Sequence, residues 1–209
     1  GIDNDAMYMA SDIVFDKNGY GSFDVIYNGE KIGNVSLSVP GVHNVSNALA
    51  CIALCSEYGI QKHIIKSALL SFTGANRRFE LVGSYENITI FDDYAHHPSE
   101  ILATAKALKN KTYRQSWIIF QPHTYSRTKS LLDDFAKVLT NFDNIIVTDI
   151  YAARENNDYG ISSMDLVNKI KSLGKDAVYI SDFDDIVKYV KERACPNDII
   201  LTVGAGTVT

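Results

Sequence analysis

From Phe79 onward the chain alternates two hydrophobic periods, and this alternation constrains the fold more than any other feature. Short apolar runs rich in β-branched and aromatic residues predict strands over 79–85, 88–92, 117–121, 145–150, 177–180 and 199–203. Patterns of helical period predict helices over 98–108, 128–139, 162–173 and 184–194. Apolar strands separated by amphipathic helices belong to an α/β domain, a doubly wound, Rossmann-like sheet. Ligands of such sheets bind outside the carboxyl ends of the strands. Three polar motifs follow strands directly: Asp92-Asp93-Tyr94, Gln121-Pro122-His123 and Gly204-Ala205-Gly206.

The earlier residues read differently. Strands are expected over 11–16, 20–28 and 31–39, with Asn18-Gly19 and Asn28-Gly29 as turns, giving an antiparallel meander that Pro40-Gly41 stops. Val45, Ala48, Leu49, Ile52, Ala53 and Cys55 then recur at helical spacing over 44–58, and Gly59 stands where a helix end favours positive φ. A second helix is expected over 61–70. The polar connector 73–78, Thr-Gly-Ala-Asn-Arg-Arg, is a hinge candidate, and the domains are expected at 1–82 and 83–209.

Composition narrows the class. The 209 residues are 46% hydrophobic and carry a net charge of −5, which argues against disorder and against a broad nucleic-acid footprint. No apolar run approaches the ~20 residues that cross a bilayer, so neither a membrane nor a nucleic acid is expected as a partner. Three cysteines are too few for a disulfide framework; Cys51 and Cys55, one helical turn apart, read as buried thiols in a reducing cytoplasm.

Several residues could carry chemistry. Asn44 and Asn47 share a face near a helix start, where an amide can read both edges of adenine; equally, Asn44 is an N-cap and Asn47 a solvated polar residue. The run 92–100 puts two acids and two histidines where a strand ends and a helix begins, with Pro98 suited to the first helical position and His97 or Ser99 near the cap. Adjacent His96 and His97 diverge in a helix or a strand, which weakens a metal reading, and no metal ligand is assigned. The run 120–128 brings His123, Tyr125 and Arg127 to the same sheet edge, where an Arg can fork onto a carboxylate and a His can pass a proton. Arg77-Arg78 could clamp phosphates or be a solvated pair, and Gly204-Ala205-Gly206 could let backbone approach a ligand. Neither Gly-x-x-x-x-Gly-Lys-Ser/Thr nor Gly-x-Gly-x-x-Gly occurs.

In this order and spacing, Pro-Gly-x-His-Asn-x-x-Asn-Ala (40–48), Arg-Arg-Phe-Glu (77–80), Asp-Asp-Tyr-Ala-His-His-Pro (92–98), Phe-Gln-Pro-His-x-Tyr-x-Arg-Thr (120–128), Asp-Ile-Tyr-Ala-Ala-Arg-Glu (149–155) and the closing Gly-Ala-Gly resemble the Mur ligases. The resemblance spans essentially the whole chain. It implies the end of a P-loop-type ATPase domain followed by a Rossmann-like domain that binds an amino acid. It implies ATP and Mg2+ as cofactors, and L-alanine and UDP-N-acetylmuramate as substrates joined through an acyl phosphate in the cytoplasm. His43, Asn44 and Asn47 would hold adenine, Arg78 the phosphates and Asp93 the ribose; Tyr94, His96, His123 and Arg127 would face the amino acid and the activated carboxyl, with His96, His123 and Arg127 catalytic. Thr124 stands where the family often has a second Arg, which places more of the amino-acid carboxylate on Arg127; Ala95 replaces a commoner Gly. The UDP-binding domain, phosphate loop and magnesium ligands would lie upstream of Gly1, so the chain reads as a C-terminal portion, inactive alone. A ligase recycling a murein tripeptide is the near alternative, although the 120–128 run favours the alanine branch. A non-catalytic nucleotide-binding module is the more distant alternative.

Overall fold

The computed structural model describes residues 1–17, 19–109 and 111–208, which leaves Asn18 of the first expected turn outside the described residues. The chain forms two compact units, Gly1–Ala75 and Asn76–Thr209, so the division falls inside the polar connector. The 82/83 boundary expected from sequence falls within a strand of the second unit, Glu80–Tyr85, whose pairing along its length holds both sides together.

In the first unit β1 (Tyr8–Phe15), β2 (Tyr20–Tyr27) and β3 (Glu30–Pro40) form an antiparallel meander. Asn28 (φ 49°) and Gly29 (φ 83°) make the β2–β3 turn, positive φ at both central positions matching the strand twist. Alternate residues Phe23 and Val25 of β2 and Val35, Leu37 and Val39 of β3 pack on Val45, Ala48, Leu49 and Ile52 of α1 (Val42–Glu57). α2 (Lys62–Ser71) closes the same core through Ile65. Gly59, at φ 76°, ends α1, its N–H donating to Ser56 while Ile60 donates to Cys55. The buried-thiol expectation is corrected here: Cys51 is exposed and Cys55 half-buried, because the buried stripe runs along Val45, Ala48, Leu49 and Ile52.

The second unit builds a six-stranded sheet from β4 (Glu80–Tyr85), β5 (Ile88–Asp93), β6 (Ser116–Phe120), β7 (Asn144–Val147), β8 (Val178–Tyr179) and β9 (Ile199–Val203). The spatial order is β4-β5-β9-β6-β7-β8, with β4 antiparallel and the other pairings parallel. The helices are α3 (Pro98–Leu108), α4 (Tyr125–Ser130), α5 (Leu132–Leu139), α6 (Ser163–Ser172) and α7 (Phe183–Lys191). Every residue of β6 is buried, as a central strand requires. Ile118 and Phe120 face a core shared with Ile101 of α3, Phe135 of α5 and Leu166 of α6. Trp117 and Ile119 face the opposite core with Ile186 and Val190 of α7. Burying each such side chain contributes ~1.5–3 kcal/mol. The chain winds one way from β5 to β8 on one face and returns across the other face through α7, which is the doubly wound arrangement.

One helix expected over 128–139 is two. The backbone breaks at Leu131 (φ −115°, ψ 22°), dividing α4 from α5. Leu131 and Leu132 both pack against the core, whereas neighbours on a continuous helix diverge by ~100°. Among the described residues no helix is long and apolar enough to cross a membrane.

Candidate functional site

Because β9 lies between β5 and β6, the segments following three parallel strands emerge side by side at the carboxyl edge. After β5 the chain turns into α3 through a tightly bonded cap. His97 is the N-cap, its Nδ1 accepting from the Ser99 N–H at 3.3 Å, and Pro98 opens the helix. Glu100 closes the capping box, accepting from the backbone N–H of His96 at 2.9 Å and of His97 at 3.2 Å. Burial works against the Glu100 charge, but those N–H groups, His96 and Arg78 outweigh it and hold the carboxyl below its ordinary range. His97 therefore serves the fold, and His96 faces the edge.

The His96 ring has a defined tautomer. Its Nδ1 sits 2.9 Å from the Tyr94 carbonyl, which can only accept, so Nδ1 carries the hydrogen and Nε2 is an acceptor in neutral His96. His123, following β6, lies with its ring centroid 5.8 Å from that of His96. Its Nδ1 is 3.4 Å from Nη1 of Arg127. A guanidinium only donates, so Nδ1 accepts and Nε2 carries the hydrogen in neutral His123. Burial, then the charges of Arg127 and His96, push the His123 pKa below its ordinary value. One imidazole thus presents an acceptor and the other a donor.

The segment that carries His123 and Arg127 is stitched to the one after β7. Tyr151 N–H donates to Pro122 at 2.8 Å and Thr124 N–H to Tyr151 at 2.9 Å. Ser126 N–H donates to Glu155 at 2.9 Å, and the Ser126 hydroxyl also donates to that carboxylate. Thr124 caps α4 at φ 67°, a conformation that a β-branched residue adopts only under tertiary constraint. An open cleft of about 640 Å³ lies beside Arg127 and Glu155 and is also lined by His97, Thr124 and Tyr159.

Other expected residues sit as follows. Tyr94 is partly exposed, with the Arg77 guanidinium 5.1 Å and the Arg78 guanidinium 5.9 Å from its ring centroid. Arg78 is half exposed and 3.9 Å from Glu100. Arg77 is tied into the fold instead: Nε bonds Asp92 at 2.7 Å and Nη2 bonds the Gly204 carbonyl at 2.9 Å. Asp93 is buried, receiving the Thr104 hydroxyl and the Ala95 N–H, and burial raises its pKa. Its carboxylate fastens the β5–α3 turn. A Cβ on Gly206 would lie 2.3 Å from Gln121 Oε1 and 2.7 Å from the Tyr151 ring, so on that side the glycine lets the closing turn pack against protein side chains.

In the first unit Gly41, not Asn44, is the N-cap of α1. Asn44 and Asn47 do share one face, with Asn47 Nδ2 donating to Asn44 Oδ1 at 3.3 Å and Asn44 Nδ2 to the Pro40 carbonyl at 2.8 Å. Asn47 is exposed, as is His43, and Asn44 is half-buried. The Asn47 side-chain amide can both accept and donate on that face, the combination that suits an adenine edge. Among the described residues no group of three or more His, Cys, Asp or Glu side chains is placed to hold a metal. Glu155, Ser126 and the clamp role of Arg77 have no assigned role in the sequence reading, although Glu155 closes the 149–155 motif that follows a third parallel strand.

A family model described as Mur ligase, glutamate ligase domain, matches residues 77–206. A UDP-N-acetylmuramate–L-alanine ligase of Acetivibrio thermocellus is 52% identical over 203 residues, 97% of this chain and 43% of that protein. One of Caldanaerobacter subterraneus is 49% identical over 208 residues, 100% of this chain and 45% of that protein. The chain therefore spans less than half the length of these relatives. Among solved structures, a UDP-N-acetylmuramate-alanine ligase of Thermotoga maritima superposes with TM-score 0.76 at 32% identity, covering 100% of this chain and 44% of that one. A murein peptide ligase of Psychrobacter arcticus gives 0.73 at 29%, covering 98% and 42%. With its second unit matched almost throughout and the motifs of 92–98 and 120–128 meeting at one sheet edge, the chain belongs to the Mur ligase family.

Proposed function

We propose that this chain is the C-terminal portion of an ATP-dependent ligase that joins L-alanine to UDP-N-acetylmuramate in peptidoglycan precursor synthesis, with the second unit holding the amino acid. The observation that carries the reading is the convergence of His96, His123 and Arg127, contributed by two non-adjacent segments, at one edge. The names of the relatives at 52% and 49% identity support the alanine branch.

ATP, with Mg2+, supplies the activation of the sugar acid as an acyl phosphate. The residues of this chain do the remainder. Arg127 forks onto the carboxylate of L-alanine and fixes where its amine lies. His96, with Nε2 open as an acceptor, takes the proton that the amine loses as it attacks. His123, neutral and with Nε2–H as a donor, bonds the oxygen on which negative charge develops. Tyr94 walls the amino-acid side. In the first unit His43, Asn44 and Asn47 read adenine; in the second, Arg78 is the guanidinium assigned to phosphate. Asp93 would have to release Thr104 and Ala95 to reach a ribose, so the ribose contact is the weakest of the expected assignments.

The test is Arg127→Ala in the full-length ligase. The KM for L-alanine is expected to rise tenfold or more, about 1.4 kcal/mol, with the KM for ATP within twofold. An unchanged alanine KM rejects the assignment.

A further inference from the structure

Arg127 is held in place by something outside its own helix. α4 is only six residues long, Tyr125–Ser130, too short to define its own axis. Its first residues depend on the loop after β7. The Tyr151 and Thr124 backbone bonds carry the parallel pairing of β6 and β7 past the ends of those strands, and His123 and Tyr151 form an isolated bridge there. The stitching ends at Glu155, whose carboxylate takes both the N–H and the hydroxyl of Ser126, the residue before Arg127. Glu155 is itself anchored, its N–H donating to the Ala152 carbonyl at 3.0 Å. At the cap of the same helix, the Thr124 hydroxyl accepts the Arg127 N–H at 3.4 Å from a backbone at φ 67°.

We infer that Glu155 is a positioning residue for the amino-acid site: by binding Ser126 through two contacts from a separate loop, it sets the α4 orientation that aims Arg127 at the substrate carboxylate and keeps Arg127 against His123. This rests on the proposed role of Arg127. Glu155 acts as a carboxylate here, since its Ser126 bonds hold its pKa below the ordinary value. Its reach is specific, because one oxygen meets the backbone and the other meets the side chain.

The test uses Glu155→Ala, Glu155→Gln and Ser126→Ala in the full-length ligase, beside Arg127→Ala and the double variant Arg127→Ala/Glu155→Ala. Glu155→Ala is expected to raise the alanine KM at least fivefold with the ATP KM within twofold. Glu155→Gln, which keeps an acceptor oxygen for the Ser126 N–H, recovers most of that loss, and Ser126→Ala falls between. In the Arg127→Ala background Glu155→Ala adds less than twofold, because the group it positions is gone. A second readout uses the 209-residue chain without turnover: 15N relaxation of the Arg127 side-chain Nε–H, expected to show greater mobility in Glu155→Ala. Equal rises in both KM values, full additivity with Arg127→Ala, or unchanged Arg127 mobility each overturn the inference. If Arg127→Ala itself leaves the alanine KM unchanged, the failure lies with the proposed amino-acid site; if it raises that KM and Glu155→Ala does not, the failure is that of Glu155 alone.

Discussion

The His96 and His123 rings stand with centroids 5.8 Å apart although the strands that carry them, β5 and β6, are not neighbours. β9 runs between those strands and ends at Val203, and the two rings approach each other beyond the carboxyl ends of β5 and β6. The pair sits beside Arg127, which lowers the affinity of His123 for a proton.

The first prediction concerns that titration. His123 is expected to titrate below the ordinary histidine value of ~6.5, and Arg127→Ala is expected to raise its midpoint by removing a facing positive charge. Imidazole NMR over pH 4–8 (about the range where histidine titrates) checks both directions. The linked stability follows the same sign. A folded pKa below the unfolded one makes the contribution of His123 fully present above ~6.5, and it is lost as pH falls through the folded value.

Arg77 is predicted to hold the sheet edge together. Its guanidinium joins buried Asp92 to the Gly204 carbonyl, with Thr202 donating to the same aspartate at 2.7 Å. Removing one partner of a buried ion pair costs ~3 kcal/mol or more, so Arg77→Ala should shift the urea midpoint down by that equivalent. The single tryptophan, buried Trp117 of β6, makes fluorescence a reporter of the second unit alone.

Gly206 tolerates no side chain in this packing. The 2.3 Å approach to Gln121 Oε1 and the 2.7 Å approach to the Tyr151 ring demand that both neighbours move. Gly206→Ala is expected to destabilise by ~1–3 kcal/mol, as overpacking does. Gly83→Ala, in the same unit and where a Cβ meets nothing within 4 Å, is the matched control and should unfold close to the parent.

For the nucleotide, Asn47→Ala in the full-length ligase is expected to weaken ATP binding and leave L-alanine binding unchanged. Calorimetry with each ligand checks the split. An unaltered ATP affinity would return Asn47 to the role of a solvated surface amide.

Legibility varied with how local the cause was. The α3 start was readable to within His97 or Ser99 because Pro98 is a local signal, and the shared face of Asn44 and Asn47 follows from helix spacing alone. The break at Leu131 was not readable, since the 128–139 run keeps a helical period and only the core decides that Leu131 and Leu132 both turn inward. Cys51 was misplaced for the same reason: a thiol one residue off the apolar stripe looks like part of it until packing chooses the stripe. From spacing alone Asp93 and Arg77 read as ligand-facing or solvated groups, and their partners, Thr104 and the Gly204 carbonyl, are set by the fold rather than by sequence spacing.

By itself the sequence determined the kinds of element, the winding of a mostly parallel sheet and the edge at which its polar motifs emerge. Those follow from side-chain period and turn chemistry, which act over a few residues. Only the tertiary structure decided that β9 inserts between β5 and β6, that a side chain at Gly206 would collide with Gln121 and Tyr151, and that Glu155 reaches Ser126. Strand neighbours are chosen by crossover handedness and by which faces can be buried together, energies that exist only once distant segments are in contact.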